Sequence, residues 1–237
     1  MCGGFAEYGV YAEESLHRIP HNLEFSAASA FTGAYLTAYV ALVRRARLEP
    51  GEWVLVHGAS GGVGLAAVDL AKTLGARVIA ASSSDEKLDI VRDLYQPDVC
   101  INVSKGFYEE VRQITDGGAN IVYDPVGGDI FDESTRCMAF DGRLLVVGFT
   151  SGRIPEIAVN RALIKGFSVV GVRAGEYTRR FPARGQEDVS TIWRLAAEGR
   201  VRPRVHATFS LDQWRDAFDL MAKRKLIGRV VIEPFGQ

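Results

Sequence analysis

Residues 53–87 read WVLVHGASGGVGLAAVDLAKTLGARVIAASSSDEK, and this stretch decides the fold. Trp53 to His57 is a short apolar run of strand type. Gly58-Ala59-Ser60-Gly61-Gly62 follows, a turn too tight for residues that resist positive φ. Residues 63–74 then repeat their apolar positions with helical spacing, and 77–81 (RVIAA) is a second apolar run. Strand, glycine turn, helix, strand is a βαβ unit, and its turn carries A-x-G-x-x-G in Ala59, Gly61 and Gly64. That spacing between a strand and a helix binds a dinucleotide. Gly61 lets a pyrophosphate approach, Gly64 lets the helix pack on the sheet, and the first helical amides point at the phosphates.

The same pattern extends outward. Residues 98–102, 119–124, 143–148 and 167–172 are further apolar runs. Helical patterns lie at 85–94, 107–115, 129–138 and 158–165. Alternation of this kind predicts a doubly wound α/β fold with a parallel sheet covered on both faces, and ligands beyond the carboxyl ends of its strands. The ends fit less well. Residues 4–12 suggest an extended segment, and 26–45 a helix broken near Thr32-Gly33. The tail reads helix (187–198), extended (205–210), helix (212–222), strand (228–232).

With 28 Lys+Arg against 29 Asp+Glu, the chain offers no basic footprint for nucleic acid and no polybasic membrane patch. No apolar run in the sequence looks long enough to span a bilayer. Cys2, Cys100 and Cys137 are far apart and odd in number, which argues against a disulfide framework and against metal-ligand spacing. A reducing, cytoplasmic location is expected, and the N-terminus is not of signal-peptide type.

The second strand of the unit should end in Asp or Glu to grip the ribose of NAD. Here it ends in Ser82-Ser83-Ser84, with Lys87 one helical turn further on. Hydroxyl donors and a positive charge favour the 2′-phosphate of NADPH. Ser83 or Ser84 can also serve as N-cap, with Glu86 completing a capping box and Asp85 complementing the dipole; Asp85 could serve an NAD ribose instead.

The residues LVHGASGGVGLAAVDLAKTLGARVIAASSSDEK, YDPVGG and GRLLVVGFTSG resemble the zinc-free quinone oxidoreductase (zeta-crystallin-like) branch of the medium-chain dehydrogenase/reductase superfamily, in which A-x-G-x-x-G is normal. The resemblance runs from Gly4-Phe5-Ala6-Glu7-Tyr8 to Gly228-Arg229-Val230-Val231. It implies a Rossmann domain over 36–172 and a GroES-like catalytic domain from 1–35 and 173–237. That second domain is expected to be incomplete, because the family pattern begins well before Gly4. It implies that Ser60, Gly61, Gly62, Val63 and Gly64 bind the pyrophosphate, and that Ser83, Lys87 and Arg224 meet the 2′-phosphate. Gly148 and Phe149 would pass beside the nicotinamide, with Thr37 near the mouth of the cleft. Asp124 would end a strand on the cofactor side, and Gly127-Gly128 form its turn. Asn102 lies at the phosphate end, where many relatives follow the Asn with Tyr; here Val103 follows.

The activity implied is NADPH-dependent reduction of quinones or α,β-unsaturated carbonyls without zinc. An enoyl-thioester reductase of the same fold, or a catalytically incomplete nucleotide-binding module, are the alternatives. No catalytic side chain stands out. His57 beside the glycine turn reads as structural, and His17, His21 and His206 as surface residues. Arg173, Glu176 and Tyr177 read as cleft lining or as a solvated loop. The FSVVGV edge strand implies a homodimer.

Overall fold

The computed structural model describes residues 4–234, apart from the side chain of Glu14; Cys2 lies outside the described residues. Six strands form one parallel sheet: β1 (Trp53–Val56), β2 (Arg77–Ser82), β3 (Val99–Asn102), β4 (Ala119–Asp124), β5 (Met138–Val146) and β6 (Ser168–Gly171). Their order is β3-β2-β1-β4-β5-β6, that of a Rossmann-type nucleotide-binding sheet, whose direction of winding reverses between β1 and β4. A crevice therefore opens above Val56 and Asp124.

Helices cover both faces. Before the sheet comes α1 (Phe25–Tyr39); α2 (Gly62–Thr73), α3 (Asp85–Tyr95), α4 (Tyr108–Ile114), α5 (Gly128–Ser134) and α6 (Val159–Lys165) alternate with its strands. The chain finishes with α7 (Ala174–Arg180), α8 (Pro182–Ala197), β7 (Val205–Ser210), α9 (Trp214–Ala222) and β8 (Arg229–Glu233). β7 and β8 form a separate parallel pair.

One apolar layer joins α1, α2 and α8 to the sheet through Phe31, Ala38, Leu42, Leu70, Tyr123 and Ile192. The other packs Phe107, Val111 and Phe131 on Leu55, Ile79 and Leu144. Alternate residues of each strand serve opposite layers, as the pleat requires. This is why the strands read as unbroken apolar runs.

Four expectations need correction. The helix at 26–45 has no break at Thr32-Gly33: α1 continues directly into a π-helical turn at Val40–Arg45. Gly33 is exposed, so the missing side chain leaves no gap in the core. The uninterrupted helix Phe25–Arg45, of 21 residues, also has the length and apolar composition of a membrane span; its buried face packs on α2 and α8. Residues 4–12 form no strand, and a 3-10 turn follows at Glu13–Ser15. Finally, β5 starts at Met138, because Met138 pairs with Ala119 before the register shifts.

A polar clamp ties the last segment to the sheet layers. Buried Asp69 on α2 accepts from Tyr35 Oη of α1 at 2.5 Å and from the backbone N–H of Arg202 at 2.6 Å. Two residues on, the carbonyl of Arg204 accepts from the N–H of Arg229 at 3.0 Å. Asp69 thereby holds the segment that sets the start of β8.

Candidate functional site

The glycine turn sits at the crevice, and the chain's own packing explains only some of its glycines. Gly58 has φ +57, a conformation that costs a β-carbon dearly. A Cβ on Gly64 would collide with the carbonyl oxygen of Gly58 and lie 2.7 Å from its carbon, so Gly64 exists for contact between helix and turn. Gly61 is different. Its φ of -79 and ψ of 161 suit any residue, and the nearest atom to an added Cβ is 3.4 Å away. Nothing in the protein requires glycine at 61.

Ala59 is fully buried and donates its N–H to the carbonyl of Ala81 at 3.0 Å. The Ala in place of the first glycine thus packs between β1 and β2. The N–H groups of Gly62 and Val63 open α2 and have no intrahelical acceptor. The carbonyl of Ser60 accepts from Gly228 at 2.9 Å, which brings the start of β8 onto the turn.

Arg229 follows Gly228, and its side chain covers Gly62: a Cβ there would meet Arg229 Cδ at 2.6 Å. The guanidinium is half-buried, makes no ion pair among the described residues, and its Nε has no hydrogen-bond partner. Burial pulls its pKa down, and the field of Tyr123 works the other way. A cation therefore lies against the positive end of a helix, with no acid to balance either. An anion is the chemistry that fits this arrangement. Arg229 stands in the stretch where the resemblance ends, which gives it no role there; the fold brings it to the glycines.

At the other end of the groove, Lys87 Nζ donates to the backbone carbonyl of Arg224. Arg224 is exposed, with φ +53. Residues far apart in sequence are thus brought together, and Ser83, just before α3, is exposed. Ser84, not Ser83, is the N-cap of α3 and accepts from the N–H of Lys87 at 3.4 Å. Asn102 spends both ends of its amide on the protein, Nδ2 to Asp85 at 2.8 Å and Oδ1 to the N–H of Ser104 at 3.0 Å. It holds Asp85.

The carboxyl edge beyond β4 and β5 is built from backbone. Asp124 is buried, and its Oδ1 accepts from Val126 at 2.8 Å and Gly127 at 2.9 Å. Burial raises its pKa while these amides pull it back; it shapes the turn. The N–H of Gly148 reaches the Asp124 carbonyl at 3.4 Å, and Thr150 and Ser151 donate to Pro125 and Val126. Phe149 lies over Gly127, with a half-exposed ring. Thr37 donates its hydroxyl to Gly33 within α1 at 2.7 Å.

His57 is buried with Nε2 at 2.8 Å from Ser134 Oγ, and Ser134 donates its own proton to Ile130. The proton between them therefore belongs to His57 Nε2. Burial lowers its pKa to about 3, and Phe107 packs edge-on against the ring, so this is a neutral core histidine. Arg173 precedes α7, and Glu176 and Tyr177 lie on that helix; Glu176 pairs with Arg179 and Arg180. The expected loop is a helix, stabilised by pairs that only its spacing creates. Among the described residues no three His, Cys, Asp or Glu side chains converge.

A cavity of about 690 Å³ lies between the start of α1 and the end of β8, lined among others by Phe25, Ser29, Val231 and Ile232. None of the expected nucleotide residues lines it.

Comparison with known proteins agrees with this geometry. Residues 62–198 match the family described as zinc-binding dehydrogenase. The chain is similar to the quinone oxidoreductase-like protein 2 homolog of Nematostella vectensis, at 39% identity over 97% of this chain and 64% of that protein. It thus spans less than two thirds of that relative's length. It is 34% identical, over 90% of its length, to a part amounting to 10% of a phenolphthiocerol/phthiocerol polyketide synthase chain of Mycobacterium tuberculosis. Among solved structures it resembles the quinone oxidoreductase of Thermus thermophilus, known alone and in complex with NADPH. That likeness has a TM-score of 0.83 at 32% identity and covers 98% of this chain and 74% of that one.

Proposed function

We propose, for a chain that belongs to the zinc-binding dehydrogenase family and to the quinone oxidoreductase-like branch of the medium-chain superfamily, that it binds NADPH and serves its oxidation by a quinone or an α,β-unsaturated carbonyl. One observation carries the reading most directly: Arg229, without an ion pair among the described residues, lies against Gly62 on the first turn of α2, beside Gly61, where the nearest atom to an added Cβ is 3.4 Å away. In this proposal Ser60 to Gly64 and Arg229 hold the pyrophosphate. Ser83, Lys87 and Arg224 receive the 2′-phosphate, and Asn102 acts there through Asp85. Gly148 and Phe149 border the nicotinamide, with Thr37 at the cleft.

The bound nicotinamide supplies a hydride. The chain's part is to orient the two ends of the cofactor. Asp124 is tied to its own turn by the Val126 and Gly127 amides and shapes the carboxyl edge. The division into a nucleotide-binding part (36–172) and a catalytic part (1–35 and 173–237) belongs to the same proposal; α1 and α8 pack in one core with α2, so that joint is a packed one. A reducing, cytoplasmic setting is proposed with it, and both described cysteines are free.

Homodimer formation is also proposed. Strand β6 is a sheet edge, and apolar residues stand exposed around it: Phe140, Val159, Leu163, Ile164 and Val169. Such a surface favours pairing. A second reading, enoyl-thioester reduction, is favoured by the likeness to part of a polyketide synthase. Consumption of NADPH with a panel of quinones, enones and enoyl thioesters tests both. Turnover confined to thioesters selects the second, and nucleotide binding without turnover of any acceptor points to a binding module.

A further inference from the structure

The chain between α8 and β7 climbs one face of α2. Near the end of that helix, Thr73 donates its hydroxyl to the carbonyl of Arg200 at 2.9 Å. One turn earlier, buried Asp69 accepts the backbone N–H of Arg202 at 2.6 Å, with the same oxygen that takes the Tyr35 hydroxyl. The carbonyl of Arg202 is held too, by the hydroxyl of Tyr95 on α3 at 2.7 Å. Side chains thus grip both polar groups of this residue's backbone, and Pro203 follows with its φ fixed. The carbonyl of Arg204 then accepts from the N–H of Arg229 at 3.0 Å. It approaches Gly228 so closely that a Cβ there would lie 2.5 Å from it. Gly228 donates in turn to Ser60 at 2.9 Å, and Arg229 lies against Gly62.

Thr73, Asp69 and Gly62 are spaced as one stripe of a helix, with Gly62 about 10 Å from Asp69 along the axis. The stripe meets the 200–204 backbone at one end and the side chain of Arg229 at the other. A leucine at 69 would pack α2 without burying a carboxylate, which is costly. What Asp69 adds is a fixed place for the Arg202 N–H.

We propose that Asp69 is a positioning residue for the pyrophosphate site, acting through Arg229: it sets the height of the 202–204 backbone on α2, and so the place of the guanidinium against Gly62. This rests on the nucleotide-binding reading above and assigns what tunes that site from within the protein. Asp69 itself touches no nucleotide. A segment that slips along α2 carries Arg229 off the first helical turn, and hydrogen bonds from a guanidinium to phosphate oxygens depend on its placement. Tyr95 keeps its hold on Arg202, so loss of Asp69 loosens the segment without freeing it.

The test is isothermal titration with NADPH, and a thermal melt without it, on wild type, Tyr35→Phe and Tyr35→Phe/Asp69→Leu, the two variants also carrying Arg229→Ala in turn. Tyr35→Phe removes the other bond to Asp69 and leaves the clamp on Arg202. Asp69→Leu then removes the clamp without stranding the Tyr35 hydroxyl. Tyr35→Phe is expected to melt lower than wild type and to bind NADPH equally well. Adding Asp69→Leu should weaken NADPH about five- to tenfold, part of the loss of about ten- to a hundredfold that Arg229→Ala itself should bring. In the Arg229→Ala background the loss from Asp69→Leu should shrink below about twofold, since the two residues act in series. Amide hydrogen exchange on the wild type needs no variant to fold: NADPH should slow exchange at Arg202 together with Arg229 and Gly62, because the coupling runs both ways. The proposal is overturned if Asp69→Leu adds no loss to Tyr35→Phe, if Tyr35→Phe alone loses as much, if the loss persists in full without Arg229, or if NADPH leaves exchange at Arg202 unmoved. A wild-type chain that takes up no NADPH would overturn the nucleotide reading itself.

Discussion

Replacing Gly61 by alanine separates what the protein needs from what its ligand needs. The backbone at 61 is ordinary, with φ -79 and ψ 161, and the new methyl would touch the Gly58 carbonyl at 3.4 Å, a normal contact. Gly61 is the N-cap of α2, and Ala caps less well than Gly, by about 0.5–1 kcal/mol. For a chain of this size that lowers the melting point by roughly 1–4 °C. Gly64→Ala is the contrast. Its methyl would strike Gly58 and come within 3.1 Å of Ala59 Cα, all backbone. Overpacking of this kind costs about 1–3 kcal/mol, against about 1 kcal/mol gained in helix propensity. The expected outcome is that Gly61→Ala folds nearly as wild type but binds NADPH at least tenfold more weakly, because the methyl occupies the pyrophosphate's approach. Gly64→Ala should lose stability and binding together. Differential scanning fluorimetry and a nucleotide titration read the two effects apart. Gly61→Ala binding NADPH as wild type does would refute the argument that only a ligand requires this glycine.

Three further outcomes follow from the same geometry. Lys87→Ala should weaken NADPH about tenfold and leave NADH nearly unchanged, because it removes a charge from the 2′-phosphate end only; equal losses for both nucleotides in a titration would contradict this. His57 is held neutral with its pKa lowered to about 3, while the unfolded chain takes up that proton near its ordinary value. Its contribution is therefore present above about pH 6.5 and is lost as pH falls toward 3, by at most about 1.4 kcal/mol per pH unit. Melting curves of wild type and His57→Asn between pH 7 and 4 should converge as the medium acidifies, and parallel curves would count against the assignment. Leu163→Glu, on the exposed face of α6 beside the β6 edge, should convert a dimer to a monomer on size-exclusion chromatography with light scattering. A dimer that survives it must pair elsewhere.

The fold was legible because the strands and helices speak in different periods. Each of the six apolar runs became a strand of one sheet, and in β1, β2 and β4 nearly every residue is buried, so few polar residues blur the signal. Lys87 and Arg224 were placed at one end of the groove by resemblance, and the fold brings them into contact. Local signals failed where tertiary contact decided. Thr32-Gly33 looks like a helix break, yet Phe31, Ala34 and Tyr35 on either side are buried and hold the helix together. Arg173, Glu176 and Tyr177 looked like a loop, because the Glu176–Arg180 pair stabilises α7 only once the turn is made. Arg229 lies in the stretch where the resemblance ends, but nothing in the sequence assigns it to the glycine turn. It opens β8, and its place against Gly62 depends on the Gly228–Ser60 and Arg229–Arg204 backbone bonds and on the clamp that Asp69 makes on the backbone of Arg202.

Isothermal titration of the chain with NADPH and with NADH tests the central claim most directly. The account predicts that NADPH binds about tenfold or more tightly than NADH, because Lys87 and Arg224 at one end of the groove reward the extra phosphate. Equal affinities, tighter NADH, or no heat from either nucleotide would contradict it.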